Sequence, residues 1–295
     1  MIGVVENNLL WIYAIVIFTI VPLLVGFFAL LVTGKRQCTD QNRVALLFHS
    51  ISSCRNTHAS HFSPEKFQQF ADRVKTQGIT TRTLRQTAKN SEESIRDMVI
   101  TFDDAFESFY TIALPILNDR GIKVTIFPIA GFIGKSSEWD VLPKQLHMSA
   151  LQIREAASGG HEIGSHTLTH ANLTMLDKKD LYTELHDSKH ILEDLIGVPV
   201  TSLSFPFGCW NTRIWEKALE IGYTQATCYR HHGRIIPGLF PVRGIYAFDT
   251  VDEVFQKTDP CIRFSNTIAR CRVMSHFAKG TPLWNFRSNY KLIRS

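Results

Sequence analysis

Apolar residues recur along this chain with two periods, and the changes of period predict strands alternating with helices. Residues 44–49 form a compact apolar run of strand length. A helix is expected from about Pro64: Ser63 can cap it, proline suits its first turn, and Phe67, Phe70 and Val74 share one face. Residues 98–102 read as a buried strand, 109–118 as a helix strained by Pro115, and 124–127 as the next strand. Ser149 can cap a helix that runs to about Ala157, and a strand follows at 162–165. Leu181, Leu185, Leu192 and Leu195 make an amphipathic helix that stops near Gly197. A strand at 200–205, a helix at 212–221 capped by Asn211 and a last strand at 242–248 complete the series. Repeated strand–helix units predict an α/β domain with a parallel sheet, open or closed into a barrel.

Both ends break this rhythm. No charged residue occurs from Leu9 to Val32, and only Thr19, Pro22 and Gly26 interrupt the apolar run. A membrane-spanning helix needs ~20 apolar residues, so the segment is long enough. The residues before it include Glu6 and no Lys or Arg, which favours an uncleaved anchor over a signal peptide. The expected organisation is a membrane anchor over 1–34, a connector over 35–43, a folded domain over 44–256 and a tail over 257–295. Lys35, Arg36 and Arg43 follow the span, and the positive-inside rule places the domain after them in the cytoplasm. The tail carries eight Lys or Arg against the single Asp259, interleaved with Phe264, Phe277, Trp284, Phe286 and Tyr290. It is suited to rest on anionic lipid or to pack as a final helix.

Composition adds exclusions. The chain has 295 residues, 44% of them hydrophobic and 20% charged, enough for one large domain with a substantial core. A net charge of +5 suits an anionic surface but is too small and too dispersed for a nucleic-acid partner. The six cysteines contain no C-x-x-C pair and read as free thiols rather than a disulfide framework.

The candidate chemistry sits at strand ends, where α/β folds build their sites. Asp103 and Asp104 close the strand at 98–102. Adjacent carboxylates on a strand point to different sides, so one can bind a metal while the other faces a substrate. His166 and His170 follow the strand at 162–165, and on one helical turn their imidazoles would face the same way. Two nitrogens and a carboxylate leave a coordination position open on a divalent ion. His161 precedes the strand end and is not expected as a ligand. Trp139 and Trp210, in loops near the expected cleft, either stack on a ring of a bound ligand or pack beneath a loop.

Together these residues resemble the polysaccharide deacetylase (NodB-like) family, carbohydrate esterase family 4. The first family motif, T-F-D-D-G, is matched by Thr101, Phe102, Asp103 and Asp104, with Ala105 in the glycine position. The second, H-[ST]-x-x-H, is matched from His166 to His170. Ser204, Phe205, Pro206, Phe207 and Gly208 are similar to the F-A-Y-P-Y-G form of the third motif in the poly-N-acetylglucosamine deacetylase branch. The resemblance covers residues 44–256 and implies an irregular (β/α)7-type barrel, here preceded by one transmembrane helix. It implies a hydrolase that removes N-acetyl groups from an acetylated glycan, glycolipid or lipid-linked sugar of the cell envelope.

Carried over by position, the resemblance assigns Asp104, His166 and His170 to a divalent metal, Zn2+ or else Co2+ or Mn2+. Asp103 becomes the general base, and the loop of Pro206, Phe207 and Gly208 supplies a backbone N–H for the oxyanion. The family's general acid is a histidine in a late L-x-H motif. The branch named above is permuted, which points to His49 after Leu47 and Phe48, with His276 as the alternative. The family's third-motif arginine is replaced by Ser204; Arg243 is expected to supply the guanidinium or to be a surface residue. Ala105 in place of glycine matters only if its φ is positive. Two other readings stand beside this one: an idle barrel that only binds carbohydrate, and a deacylase of a lipid-linked precursor at the cytoplasmic face. The unpaired cysteines and basic flank place the domain inside the cell, whereas the family habit places it outside.

Overall fold

The apolar run at 44–49 forms β1 (Ala45–Phe48), whose residues are all buried because both faces of the strand are covered. Leu46 and Phe48 face the helices, while Ala45 and Leu47 face inward with Val99, Phe127, Val242 and Leu84. The computed structural model describes residues 44–52, 60–89, 97–137, 145–229 and 236–259. The apolar segment 9–32, the connector 35–43, Trp139, His276 and the tail from residue 260 lie outside them. Among the described residues, no helix is long and apolar enough to cross a membrane.

After β1 the chain forms β2 (Ser50–Ile51) and β3 (His61–Phe62), a short parallel pair. It then enters α1 (Pro64–Thr76), where the Ser63 hydroxyl accepts from the Lys66 N–H at 3.2 Å. The buried stripe of α1 is Phe67, Phe70, Ala71 and Val74. Phe67 packs edge-on against Phe48 with ring centroids 5.5 Å apart, and Phe48 stacks on Phe102 at 5.3 Å. Each such ring contributes roughly 1.5–3 kcal/mol on burial.

Next come β4 (Thr81–Arg82), α2 (Leu84–Lys89) and β5 (Met98–Asp104), the longest strand among the described residues. The helix expected at 109–118 is split: a π-helical turn, Phe109–Ala113, leads into α3 (Leu114–Asp119). Pro115 lies in the first turn of α3, where its missing N–H costs least, and the Leu114 N–H reaches back to Phe109 O. β6 (Thr125–Pro128), α4 (Ala150–Ser158) and β7 (Glu162–Ile163) follow, with Ser149 and Gln152 forming a reciprocal cap on α4. α5 (Lys178–Ile196) ends at Gly197, whose φ of 72° closes the helix as its position predicts. The chain then forms β8 (Ser202–Ser204), α6 (Thr212–Ile221) capped by Asn211, β9 (Gln225–Cys228), β10 (Leu239–Gly244) and α7 (Val251–Gln256).

The strands run parallel in the order β7-β6-β5-β1-β10-β9-β8, with β4 paired to the start of β5 outside this path. Ser165, just past β7, bridges Leu203 of β8: its N–H donates to Ser202 O at 2.9 Å, and Ser204 N–H donates to its carbonyl at 2.9 Å. The sheet therefore curls into a ring whose final junction is a single bridge. This is a parallel α/β near-barrel, as expected.

Two of the differences from the expected boundaries bear on the end of the domain. The last strand lies at Leu239–Gly244 rather than 242–248, because the Tyr246 N–H turns back to the Asp249 carboxylate at 2.7 Å. Lys257, expected to open the tail, belongs to the domain. Its ammonium is buried and donates to Asp249 Oδ2 at 2.5 Å and Gly244 O at 2.8 Å. The cap on α7, Thr250 with Glu253, went unread in the sequence.

Candidate metal and catalytic centre

The carboxyl ends of the strands deliver the candidate residues to one place. Asp103 and Asp104 end β5, His49 follows β1, His166 follows β7, and Ser204 ends β8. Alternation along a strand would send Asp103 and Asp104 to opposite sides. Instead the Ala105 N–H donates to Asp103 O at 2.8 Å, with Asp104 at φ 65° between them, a three-residue turn that bends Asp104 back. Both carboxylates then face one imidazole: His166 Nε2 lies 3.6 Å from Asp104 Oδ1 and 3.8 Å from Asp103 Oδ2. His170 Nε2 lies 3.7 Å from the same Asp104 oxygen.

His166 and His170 are not on a helical turn, contrary to expectation. The segment between them is irregular, and Thr167 (φ 67°) and His170 (φ 60°) are left-handed. The imidazoles nevertheless meet, with ring centroids 4.9 Å apart. Among the described residues, the non-glycine positions with positive φ are Asp104, Ala105, Thr167, His170 and Phe207. All lie in the three motif segments. Each such conformation costs an L-residue roughly 1–2 kcal/mol, and strain concentrated in this way is characteristic of functional sites. Ala105, at φ 50°, thus occupies a conformation that glycine would adopt without penalty.

Hydrogen bonds fix the state of the imidazoles. His166 Nδ1 lies 2.9 Å from Ser204 O, a pure acceptor, so Nδ1 carries the proton and Nε2 presents its lone pair to Asp104. Burial pushes the pKa of His166 and His170 down, which keeps both rings in the neutral form that ligates metal. His161 lies apart from this group: its Nε2 faces Asn118 Oδ1 at 3.1 Å. His147 is a residue that the sequence reading missed. Its Nδ1 donates to Asp104 O at 2.7 Å, and burial lowers its pKa to about 4. A histidine just before a helix cap carries no spacing signal that would have singled it out.

The donor set fits a divalent ion. One atom each from Asp104, His166 and His170 lie within 4.8 Å of one another. Tetrahedral bonds of ~2.0–2.1 Å set neighbouring donors ~3.4 Å apart, close to the 3.6 and 3.7 Å between Asp104 Oδ1 and the two imidazoles. Two imidazoles and a carboxylate suit Zn2+ and also Co2+ or Mn2+.

Asp103 has a different environment. Burial raises its pKa to about 6, against the opposing pull of His49 and a hydrogen bond from Ser204. The Ser204 hydroxyl donates to Asp103 Oδ2 at 2.8 Å. His49 is depressed by burial and raised by the Asp103 charge, and its Nδ1 is buried with no hydrogen-bond partner among the described residues. Burial thus pushes the carboxyl of Asp103 up and the imidazole of His49 down.

Two sequence expectations change in detail. Arg243 was a candidate for the guanidinium beside Asp103. Its Nη1 instead donates to Lys257 O at 2.7 Å and Asp259 O at 2.6 Å, and Ser204 is the group bonded to the carboxylate. In the loop of Pro206, Phe207 and Gly208, proline has no N–H and the Gly208 N–H donates to Phe205 O at 2.9 Å. The Phe207 amide is left as the loop's donor for an oxyanion. Phe207 is left-handed, and its ring lies 4.6 Å from that of His170. A Cβ on Gly208 would meet Tyr229 Cδ2 at 2.0 Å, so this tight turn requires glycine. Trp210 packs under the loop, stacked on Phe205 with centroids 6.0 Å apart.

Comparisons with known proteins point to one family. A family profile described as polysaccharide deacetylase matches residues 90–226. The chain is similar to YxkH of Bacillus subtilis, described as a polysaccharide deacetylase, at 30% identity over 182 residues, 60% of this chain and 61% of the relative. It is also similar to the chitooligosaccharide deacetylase of Azorhizobium caulinodans, at 28% identity over 141 residues, 47% of this chain and 60% of that protein. The matches thus span about three fifths of each relative's length. In fold it is similar to the Streptococcus pyogenes deacetylase PplD, whose structure was solved in complex with acetate. That match has a TM-score of 0.61 and 20% identity and covers 74% of this chain and 99% of the other.

Proposed function

We propose that this chain, whose residues 90–226 match the polysaccharide deacetylase family, hydrolyses the N-acetyl groups of an acetylated amino-sugar glycan with the help of a divalent metal. The observation that carries this reading is the convergence of Asp103, Asp104, His166 and His170 at the strand ends, with one carboxylate for a metal and one for a proton. The chitooligosaccharide deacetylase among the relatives supports an acetylated amino sugar as the substrate class.

In this reaction the acetyl C–N bond breaks, a C–O bond forms from water, and acetate and a free amine result. Asp104, His166 and His170 would hold the ion, which when bound supplies Lewis-acid polarisation and makes water more acidic. Asp103 takes the proton from water; a carboxylate with its pKa raised to about 6 is a better base than an ordinary one. Ser204 holds that carboxylate in place at 2.8 Å. The Phe207 N–H is the donor available to the developing oxyanion. His49 gives the departing amine its proton. The charges of Asp103 and His49 interact, and the proton that the carboxylate takes is passed on through the imidazole. A barrel that only bound carbohydrate would have no use for a buried base so arranged.

The site is further proposed to work at a membrane, anchored through residues 9–32 with the basic flank at Lys35, Arg36 and Arg43 on the cytoplasmic face. That flank favours a lipid-linked sugar as a second substrate reading. Alkaline phosphatase fused after Ser295 should be inactive, and phosphatase activity there would place the domain outside. The chemical reading is tested by acetate release from chitooligosaccharides, other acetylated glycans and lipid-linked acetylated sugars, with and without chelator. Chelator-sensitive release is expected; release that survives complete metal removal would overturn metal dependence.

A further inference from the structure

The segment from Ser165 to His170 must hold two imidazoles on one point while its backbone passes through left-handed conformations at Thr167 and His170. Nothing in a regular helix or strand maintains such a path, so its polar groups need partners from elsewhere. Its carbonyls find them on one side: the Ala130 N–H donates to Thr167 O at 3.0 Å and the Gly131 N–H to Leu168 O at 2.8 Å. The approach is close enough that a Cβ on Gly131 would meet Leu168 O at 2.6 Å.

On the other side stands Glu184 of α5. Its Oε2 accepts from the Leu168 N–H at 2.9 Å and the Thr169 N–H at 3.0 Å, and its Oε1 accepts from the Thr169 hydroxyl at 2.5 Å. Its relative exposure is 0%. A carboxylate buried to that degree is tolerated only where several hydrogen bonds replace its water. Here both oxygens are spent on the residues between His166 and His170. One turn further along α5, the Ser188 hydroxyl receives the Ser165 hydroxyl at 2.9 Å, so the same helix face also grips the start of the loop.

We infer that Glu184 is the positioning residue of the metal centre, a buried carboxyl group that holds the main chain between the two histidine ligands in its strained form. It touches neither ligand side chain nor substrate, and it acts through the loop. The inference rests on the reading of Asp104, His166 and His170 as metal ligands. It adds that the loop geometry is set from α5 rather than by the loop's own sequence.

The position leaves a trace in the sequence. Glu184 sits between Leu181, Leu185 and Leu192 on the apolar stripe of α5, where a charged residue is out of place unless a partner waits. Glutamine is nearly isosteric there. Its carbonyl oxygen can accept the two backbone N–H groups while its amide faces the Thr169 hydroxyl as donor. Leucine fills the space and accepts nothing.

The test is the Zn2+ affinity of the full-length protein in detergent, measured by competition with a chromogenic chelator, alongside its circular dichroism spectrum. Folded Glu184→Leu should bind Zn2+ about 10- to 100-fold more weakly than the parent, the range typical of groups that orient ligands from behind. Glu184→Gln should recover most of that loss. A merely structural role would lower thermal stability and leave the affinity of the folded protein unchanged. Folded Glu184→Leu binding within about threefold of the parent, below the range for such groups, therefore overturns the inference. If Glu184→Leu does not fold, Thr169→Val removes one of the three bonds and decides alone: weakened binding supports the role and parental binding refutes it. A parent that itself fails to bind Zn2+ would instead refute the metal reading, which separates the two failures.

Discussion

The Ser204 hydroxyl, at the end of β8, donates to Asp103 Oδ2, at the end of β5, at 2.8 Å. The carboxylate thus has a neutral donor where the family resemblance anticipates an arginine. A hydrogen bond steadies a base without neutralising it, which leaves burial free to raise its pKa to about 6. Because Asp103 works only as the carboxylate, kcat/KM should fall as pH drops through a limb at or below about 6, a bound dication pulling the limb lower. Ser204→Ala removes a bond that favours the charged form. The acidic limb should then move up by about 0.7 pH unit, as expected for a bond worth ~1 kcal/mol. A pH–rate profile of the two proteins checks it, and an unmoved limb would show that Ser204 does not tune the base.

His49 is predicted to matter only when the leaving group needs a proton. His49→Gln should lower acetate release from an N-acetyl sugar by about 100-fold, within the usual range for general acids, and leave metal content intact. Hydrolysis of an aryl acetate, whose leaving group departs as a stable anion, should change little. An unimpaired amide rate would move the acid role to another group.

Gly208→Ala tests the oxyanion loop. The new Cβ would collide with Tyr229 Cδ2 at 2.0 Å, at a φ of 61° that alanine resists. The turn must shift, and with it the Phe207 amide. A fall in kcat of about 100-fold with parental Zn2+ content is expected, comparable to losing one oxyanion donor. A parental kcat would exclude this loop from the transition state.

His161 lies away from the centre and makes a stability prediction. Burial, reinforced by Lys123, lowers its pKa from 6.5 to about 4. As pH falls through 6.5 the unfolded chain takes up a proton that the native state refuses until about pH 4. Stability present above that window is lost across it, by at most roughly 3 kcal/mol for this group. His147 adds a loss in the same direction. Urea midpoints measured between pH 7 and 4 should therefore fall for the parent and fall less for His161→Gln.

Much of this was legible in the sequence because the relevant signals are local. Ser63, Ser149 and Asn211 cap helices where they stand, Gly197 ends one, and the apolar run at 44–49 becomes the buried β1. The candidate ligands were legible as a spacing, although the spacing suggested a helical turn and the structure has an irregular loop. What stayed hidden depends on contacts distant in the chain. Ser204 reaches Asp103, Glu184 grips the histidine loop, His147 bonds Asp104, and Arg243 turns away to the end of α7. The bend at Asp104 was equally unreadable, since aspartate gives no warning of a φ of 65°.

The central claim is that Asp103 moves the proton while Asp104, His166 and His170 hold the ion. It is tested most directly by measuring Zn2+ content and acetate release in parallel on the parent, Asp103→Asn and His166→Ala. The account predicts that Asp103→Asn keeps parental Zn2+ and loses acetate release by at least about 100-fold, the scale of a general base. His166→Ala should lose both. Parental acetate release by Asp103→Asn, or full Zn2+ occupancy in His166→Ala, would contradict it.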